Sequence, residues 1–385
     1  MTETRRFDTP DEAKAFLETL GEYENPREVA PLKGEAAHEV AVGPVHAGVI
    51  EPGHFRFQCV GEDVYNLQIF LGYQHRGVEG EIVRADGRIA RQIALAETCA
   101  GDTSIAAATC FAEIMESAFP EKFAAPTNAA FAARSALLEL ERIANHTGDL
   151  GALAGDVAYL PTASYCGRIR GDYLNMTASV CGNRFGRGAV VPGGIAVLFN
   201  AERASKVREL AKTAKRDLDD ALKLMFEEPS VVERFSGTGV VTRETAEEIG
   251  LVGVARRASA EMSGDVLARA AVRRTEIEEA HRKLFDALDE IEAAGGESGA
   301  SAQQGASGRA SKGTCSAVVA TVDAWRGPLV HAAAFDEGCR MLRYRIVDPS
   351  AHNWHGLAWA LRGEQISNFP ICNKSFNLSY CGTDR

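Results

Sequence analysis

The chain has 385 residues, of which 45% are hydrophobic and 25% charged, the balance of a soluble globular protein long enough for one large or two ordinary domains. Its net charge of -11 argues against nonspecific nucleic-acid binding, which depends on neutralising phosphates with Lys and Arg. No stretch approaches the ~18 continuous apolar residues of a membrane span, and no apolar segment follows the charges at the amino end, so a cytosolic or peripheral location is expected. The nine cysteines, at 59, 99, 110, 166, 181, 315, 339, 372 and 381, never show zinc or iron-sulfur spacing. Their odd number, with no leader ahead of them, reads as reduced thiols.

Residues 39 to 71 alternate apolar and polar positions, with breaks at GPVHAG and EPGH, which predicts a short antiparallel sheet. Helical periodicity runs from Asp86 to Phe119 and stops at Pro120 and Pro126. Thr127 can cap the next helix, which is rich in Ala and Leu and in small residues that permit close packing. The passage from Pro161 to Gly194 reads as turns. Residues 201 to 228 and 264 to 293 have the spacing of amphipathic bundle helices, with a short helix from Thr245 to Gly250 between them. The Gly, Ser and Ala run at 295 to 314 reads as a flexible hairpin tip, or alternatively a partner-docking loop. Beyond it CSAVVATVDAWRGPLVHAAAF predicts paired strands, and RMLRYRIVDPSAHNW leads into a helix and the terminal segment.

Two constellations can carry chemistry. In GPVHAGVIEPGHFRF, His46 and His54 stand eight residues apart and could relay protons near neutral pH, or serve as structural histidines. In GYQHRGVEG, His75, Arg76 and Glu79 occupy a tight strand-to-helix connection where Arg and Glu can pair, in a site or in a buried structural ion pair. The residues alone leave both pairs of readings open.

GPVHAGVIEPGHFRF, LGYQHRGVEG, LELERIANHTGDLGALAGDVAYLPTASYCGRIRGDYLN, CGNRFGRG, VDPSAHNW and NKSFNLSYCGTDR resemble, in order, the large subunit of membrane-associated, energy-converting nickel-iron hydrogenases. Less closely, they resemble the 49-kilodalton subunit of respiratory complex I. The resemblance implies an α+β, predominantly α fold: an amino-terminal α/β portion with a small antiparallel sheet (1–80), a helical bundle core (81–294), the loop 295–314, and a strand-containing segment (315–385) that returns to the bundle.

It also exposes departures. Where such hydrogenases carry a first C-G-x-C ligand pair, this chain has Cys99-Ala100-Gly101-Asp102, and the second pair falls on Ser379 and Gly382 with Cys381 out of register. A nickel-iron centre needs four soft thiolates, so the comparison implies a chain without one. Cys99 and Cys381, with Asp102, are the remaining groups for an atypical metal site. A carboxylate at Asp102 is costly in the bundle unless paired or protonated, which makes it a proton carrier or a salt-bridge partner, with Glu97 close by in sequence.

By the complex I likeness, His54 and Asp156 match the His and Asp beside a quinone, while the Tyr has no counterpart in TCAGDTS. His54, Asp156, Asp102 and Glu97 are therefore the catalytic candidates, and His46, His75 and Arg76 candidates for holding a cofactor, quinone being the one implied. The ending at Asp384-Arg385 lacks the extension trimmed after nickel insertion. Implied partners are a small subunit carrying an iron-sulfur cluster, a protein like the C subunit of complex I, and antiporter-like and other membrane subunits, with this chain peripheral on the cytoplasmic face. Direct NAD binding is unsupported, since no G-x-G-x-x-G follows a strand. Apolar filling of the space between Cys99, His54 and Ser379 would favour a scaffold role; an open polar cavity would favour redox or proton chemistry.

Overall fold

The computed structural model describes residues 2–7, 12, 15–16, 19, 21–27, 29–47, 49–295 and 316–385; the 295–314 loop lies almost wholly outside the described residues. Its 54% helix and 16% strand make the fold α+β and predominantly α, as expected. Strand β1 (Thr2–Phe7) is followed by β2 (Ala37–Val42), β3 (His54–Val60) and β4 (Asp63–Phe70), and the last three form an antiparallel sheet in sequence order. Alternation buries Phe55, Phe57, Val64, Leu67 and Ile69 on one face. Burying each such side chain contributes roughly 1.5–3 kcal/mol.

Helices α1 (Val78–Arg84), α2 (Ile89–Glu97) and α3 (Ser104–Ala118) lead into the bundle pair α4 (Asn128–Asp156) and α5 (Leu160–Cys181). Thr127 caps α4, its hydroxyl accepting from Ala130 N at 3.2 Å. The passage read as turns from Pro161 is helical as far as Cys181, and only the remainder, with the two-residue strands β5 (Val190–Val191) and β6 (Gly194–Ile195), is irregular. Pro161 sits in the first turn, where its missing N–H costs nothing, and α5 is held by packing against α4 rather than by propensity. At the crossing Gly151 lets the helices touch: a Cβ there would lie 2.7 Å from the Cys166 Cβ.

Helix α6 (Ala201–Glu227), the short α7 (Pro229–Phe235), α8 (Arg243–Glu248) and α9 (Gly253–Glu261), and the long α10 (Val266–Ala293) complete the bundle. Asn200 caps α6 and Asp265 caps α10, and apolar stripes such as Ile277, Leu284, Leu288 and Ile291 face inward. Strands β7 (Ser316–Ala324), β8 (Gly327–Phe335) and β9 (Met341–Val347) then build an antiparallel sheet of order β1-β7-β8-β9, so the first strand of the chain pairs with the segment beyond 315. Residues 341 to 347, read as a lead-in, form a strand because β8 offers them an open edge. Helix α11 (Ser350–Ala360), a 3-10 turn (Ile366–Asn368), α12 (Phe369–Phe376) and α13 (Tyr380–Asp384) bring the tail back. Phe369 packs on Phe55 and Phe57, with ring centroids 4.9 and 5.0 Å apart, joining α12 to the first sheet.

Candidate functional site

The tail is held by the connection after β4. The Asp384 carboxylate accepts from Gly72 N and Gln74 N, both at 2.8 Å, and the Asp384 carbonyl lies 2.8 Å from His75 Nδ1. Arg76 N and Gly77 N donate to Arg385 O, while the Arg76 guanidinium donates to Thr98 O (2.7 Å) and Cys99 O (2.9 Å). His75 and Arg76 thus tie the tail to the turn bearing Cys99. Among the described residues Arg76 makes no ion pair with Glu79. Glu79 takes Ile346 N at 2.8 Å and Arg385 at 3.4 Å, because the returning tail brings a second arginine to it. His46 is exposed on the hairpin before β3.

The four positions that the hydrogenase resemblance aligns with thiolates carry other chemistry here, and Cys99 and Ser379 both lie against Gly382. Cys99 is buried, its Sγ 3.9 Å from Gly382 O, and burial, followed by the charge of Asp348, pushes its thiol far up. Asp102 is gripped by Arg326 through two bonds, Nη1 to Oδ1 at 2.9 Å and Nη2 to Oδ2 at 2.7 Å. Burial acts to raise Asp102, but the guanidinium charge and its hydrogen bonds win and hold the carboxyl below the usual range. Asp102 is a salt-bridge partner. The Ser379 hydroxyl accepts from Gly382 N at 2.9 Å and lies 3.6 Å from Cys381 Sγ.

Gly382 has no side chain, and the fully enclosed carboxylate of Asp348 stands in the space one would use: a Cβ would fall 2.6 Å from Asp348 Oδ2. Two cavities border these residues, one against Asp348, Gly382 and Thr383, the other against Arg326 and Leu378. Each has a volume of about 10 Å³, room for roughly one water. Asp348 and the Ser379 hydroxyl stand against Gly382, and both of these cavities are lined by polar as well as apolar side chains.

These residues do not fit a nickel-iron centre. One protonated thiol, a carboxylate committed to Arg326, a hydroxyl and a glycine cannot supply four thiolates. The atypical site at Cys99, Asp102 and Cys381 fares no better: among the described residues no three His, Cys, Asp or Glu side chains gather as a ligand set. Asp102 is turned to Arg326, and burial, followed by the charge of Glu51, raises the Cys381 thiol.

Of the other expected residues, Glu97 is buried and accepts from Gly188 N at 2.7 Å; burial raises its carboxyl against that bond and the charge of Arg187. His54 opens β3 half-buried, its Nδ1 3.4 Å from Gly43 O and its ring 5.7 Å from that of Phe70. Asp156 ends α4 at the surface, its carboxyl raised by partial burial and lowered by Lys374. Among the described residues His54 and Asp156 share no hydrogen bond or ion pair. The hairpin before β3 does reach the tail: Glu51 accepts from Cys381 N at 3.3 Å and from the Gln74 side chain, and Phe55 packs edge-on to Tyr380.

Sequence reading passed over Arg326, Asp348 and Glu141. Glu141, on α4, accepts from Ile105 N (2.7 Å) and Ala106 N (3.3 Å) at the start of α3, and burial pushes its carboxyl up to about 8. An acid placed to cap a helix 36 residues away carries no local signal. Arg326 lies in the AWRGP turn between two strands, where turn chemistry hides a long-range partner.

The family described as respiratory-chain NADH dehydrogenase, 49 Kd subunit, matches residues 156–262. The chain is 25% identical to hydrogenase-4 component G of Escherichia coli (strain K12) over 91% of its own length, but spans only 62% of that relative. It is 27% identical to an NAD(P)H-quinone oxidoreductase subunit of Thermosynechococcus vestitus (strain NIES-2133 / IAM M-273 / BP-1), covering 65% of this chain and 68% of the other. A chain of the membrane-bound sulfane sulfur reductase, an archaeal respiratory membrane complex, shares the fold with a TM-score of 0.79 at 20% identity, over 91% of this chain and 99% of that one. The chain is thus similar, at 25–27% identity, to a hydrogenase-4 component and to an NAD(P)H-quinone oxidoreductase subunit, and in part to the 49 Kd subunit family of respiratory-chain NADH dehydrogenase.

Proposed function

We propose that this chain is the large subunit of a membrane-associated oxidoreductase complex that moves electrons and protons without a nickel-iron centre. The observation that carries this is the Asp102–Arg326 pair with Asp348 against Gly382, polar groups standing where two thiolates would be needed. Relatives in hydrogenase and NAD(P)H-quinone oxidoreductase complexes support the oxidoreductase class. No described helix is long and apolar enough to cross a membrane, consistent with attachment through partners. Those partners are an iron-sulfur small subunit that delivers electrons, a protein like the C subunit of complex I, and antiporter-like and other membrane subunits on the cytoplasmic face.

A quinone is the acceptor this reading favours; when bound it would take up two electrons and two protons. His54 fits one carbonyl end of it. With Nδ1 directed to Gly43 O, Nε2 has no partner among the described residues and is the atom that can give or take a proton. Glu97, raised by burial, can hold a proton, and Asp156 is a second carboxyl raised by partial burial, at the surface. Asp102 stays ionised and fixes Arg326. The test is quinone turnover by the purified complex: His54→Ala should abolish it. No turnover with any quinone, together with a silent His54→Ala, overturns the reading.

A scaffold role, docking the iron-sulfur partner without chemistry of its own, is the second reading. The filled space around Gly382 favours it, and retention of full complex activity in both His54→Ala and Glu97→Gln would select it.

A further inference from the structure

Behind the Asp102–Arg326 pair, the second of the two small cavities is walled by the guanidinium-bearing side chains of Arg269, Arg273 and Arg326, with Trp325, Asn353, Ser375 and apolar residues completing it. Among the described residues no carboxylate lines it. Arg273 is neutralised by Asp149, Nε to Oδ2 at 2.8 Å, and Arg326 by Asp102. Arg269 is different. It is 1% exposed, and its donors go to neutral acceptors: Ser375 Oγ (2.8 Å), Gly264 O (2.8 Å) and Gly239 O (3.0 Å).

Among the described residues Arg269 has no carboxylate at ion-pair distance. Asp265, the acid nearest in sequence, is used by Gly237 N and Ala268 N, and Glu364 by Gly239 N and Asn368. Burial pulls Arg269 down to about 10, which leaves it a cation at neutral pH. A buried charge without a counter-charge is strongly disfavoured, and carbonyl dipoles and the Phe376 ring at 4.3 Å offset only part of that.

We propose that this cavity binds a small monovalent inorganic anion, of which chloride is the representative. A volume of about 10 Å³ admits one particle of roughly water size, which restricts an occupant to a single-atom anion and excludes sulfate, phosphate or an organic carboxylate. The anion would supply the charge that Arg269 lacks and would brace Arg326 from the side opposite Asp102. Such a site stands on the cavity wall alone and is independent of the proposed activity.

The direct test uses crystals of the wild-type chain, in its complex if necessary, soaked in bromide. An anomalous peak in contact with Arg269 and Arg273 is expected; water alone in the cavity overturns the proposal. In solution, replacing gluconate by chloride at constant ionic strength should raise the melting temperature saturably, as for any ligand that binds only the folded state. Arg269→Met should abolish that chloride dependence, and a dependence that survives the substitution contradicts the assignment. If Arg269→Met does not fold, the bromide experiment on the wild-type chain decides alone.

Discussion

The carboxylate of Asp348 occupies the volume that a side chain on residue 382 would require, 2.6 Å from the place of its Cβ, with Ser379 Oγ 2.7 Å from that same point. Asp348 and Gly382 together leave the fourth ligand position unable to carry a thiolate without rebuilding the site. Restoring Gly382→Cys alone therefore creates a clash. Gly382→Ala should destabilise the fold by about 1–3 kcal/mol, the usual cost of overpacking, and Asp348→Ala in the same chain should recover part of the loss. Thermal unfolding of the two variants checks this; a Gly382→Ala protein as stable as wild type would show that Asp348 moves aside freely.

The Asp102–Arg326 pair makes a statement about pH. Asp102 has its carboxyl lowered in the fold, so its stabilisation is present above the unfolded value of about 3.9 and is lost as pH falls through the folded value. Asp102→Asn should thus be less stable than wild type at neutral pH, and the gap should close on acidification below about pH 4. Asp102 is partly exposed, so the neutral-pH loss should fall below the roughly 3–5 kcal/mol of a fully buried broken pair. A gap that does not change with pH would mean that Asp102 acts by shape rather than charge.

Glu97 has the opposite sign. Burial raises its carboxyl, so the protonated form is favoured by folding; that contribution is complete below the unfolded value and lost as pH rises through the folded one. Glu97→Gln, which keeps an acceptor for Gly188 N, should equal or exceed wild-type stability near neutral pH while lowering proton-coupled turnover. Chemical denaturation between about pH 5 and 8, read beside activity, separates the two effects. Marked destabilisation of Glu97→Gln would assign Glu97 to structure instead.

His54 is half-buried and its hydrogen bond to Gly43 O, the one it makes among the described residues, is long, so His54→Ala should shift the melting temperature by only about 1–2 °C. If the imidazole transfers protons, quinone turnover should drop by about 100-fold or more. Loss of activity accompanied by unfolding would leave the catalytic assignment without support.

Much of this architecture was legible in the sequence because its signals are local. Thr127 announced its helix cap and alternation announced β3 and β4, while it was the resemblance to hydrogenases that implied the loss of thiolates at Asp102, Ser379 and Gly382. The helix from Leu160 was not legible, since Pro161, Gly167 and Gly171 are turn signals that tertiary packing against α4 overrides. Nor could sequence give Asp102 its partner, which is 224 residues distant, or show Asp348 standing in for a missing side chain. The residues left Asp102 two roles; only the fold chose the salt bridge.

Polar groups stand in the place of metal ligands in a chain whose proposed complex still transfers electrons, and elemental analysis of the purified, redox-active complex tests that combination most directly. Turnover with no nickel above background is the expected result. Nickel in stoichiometric amount with this chain would contradict it.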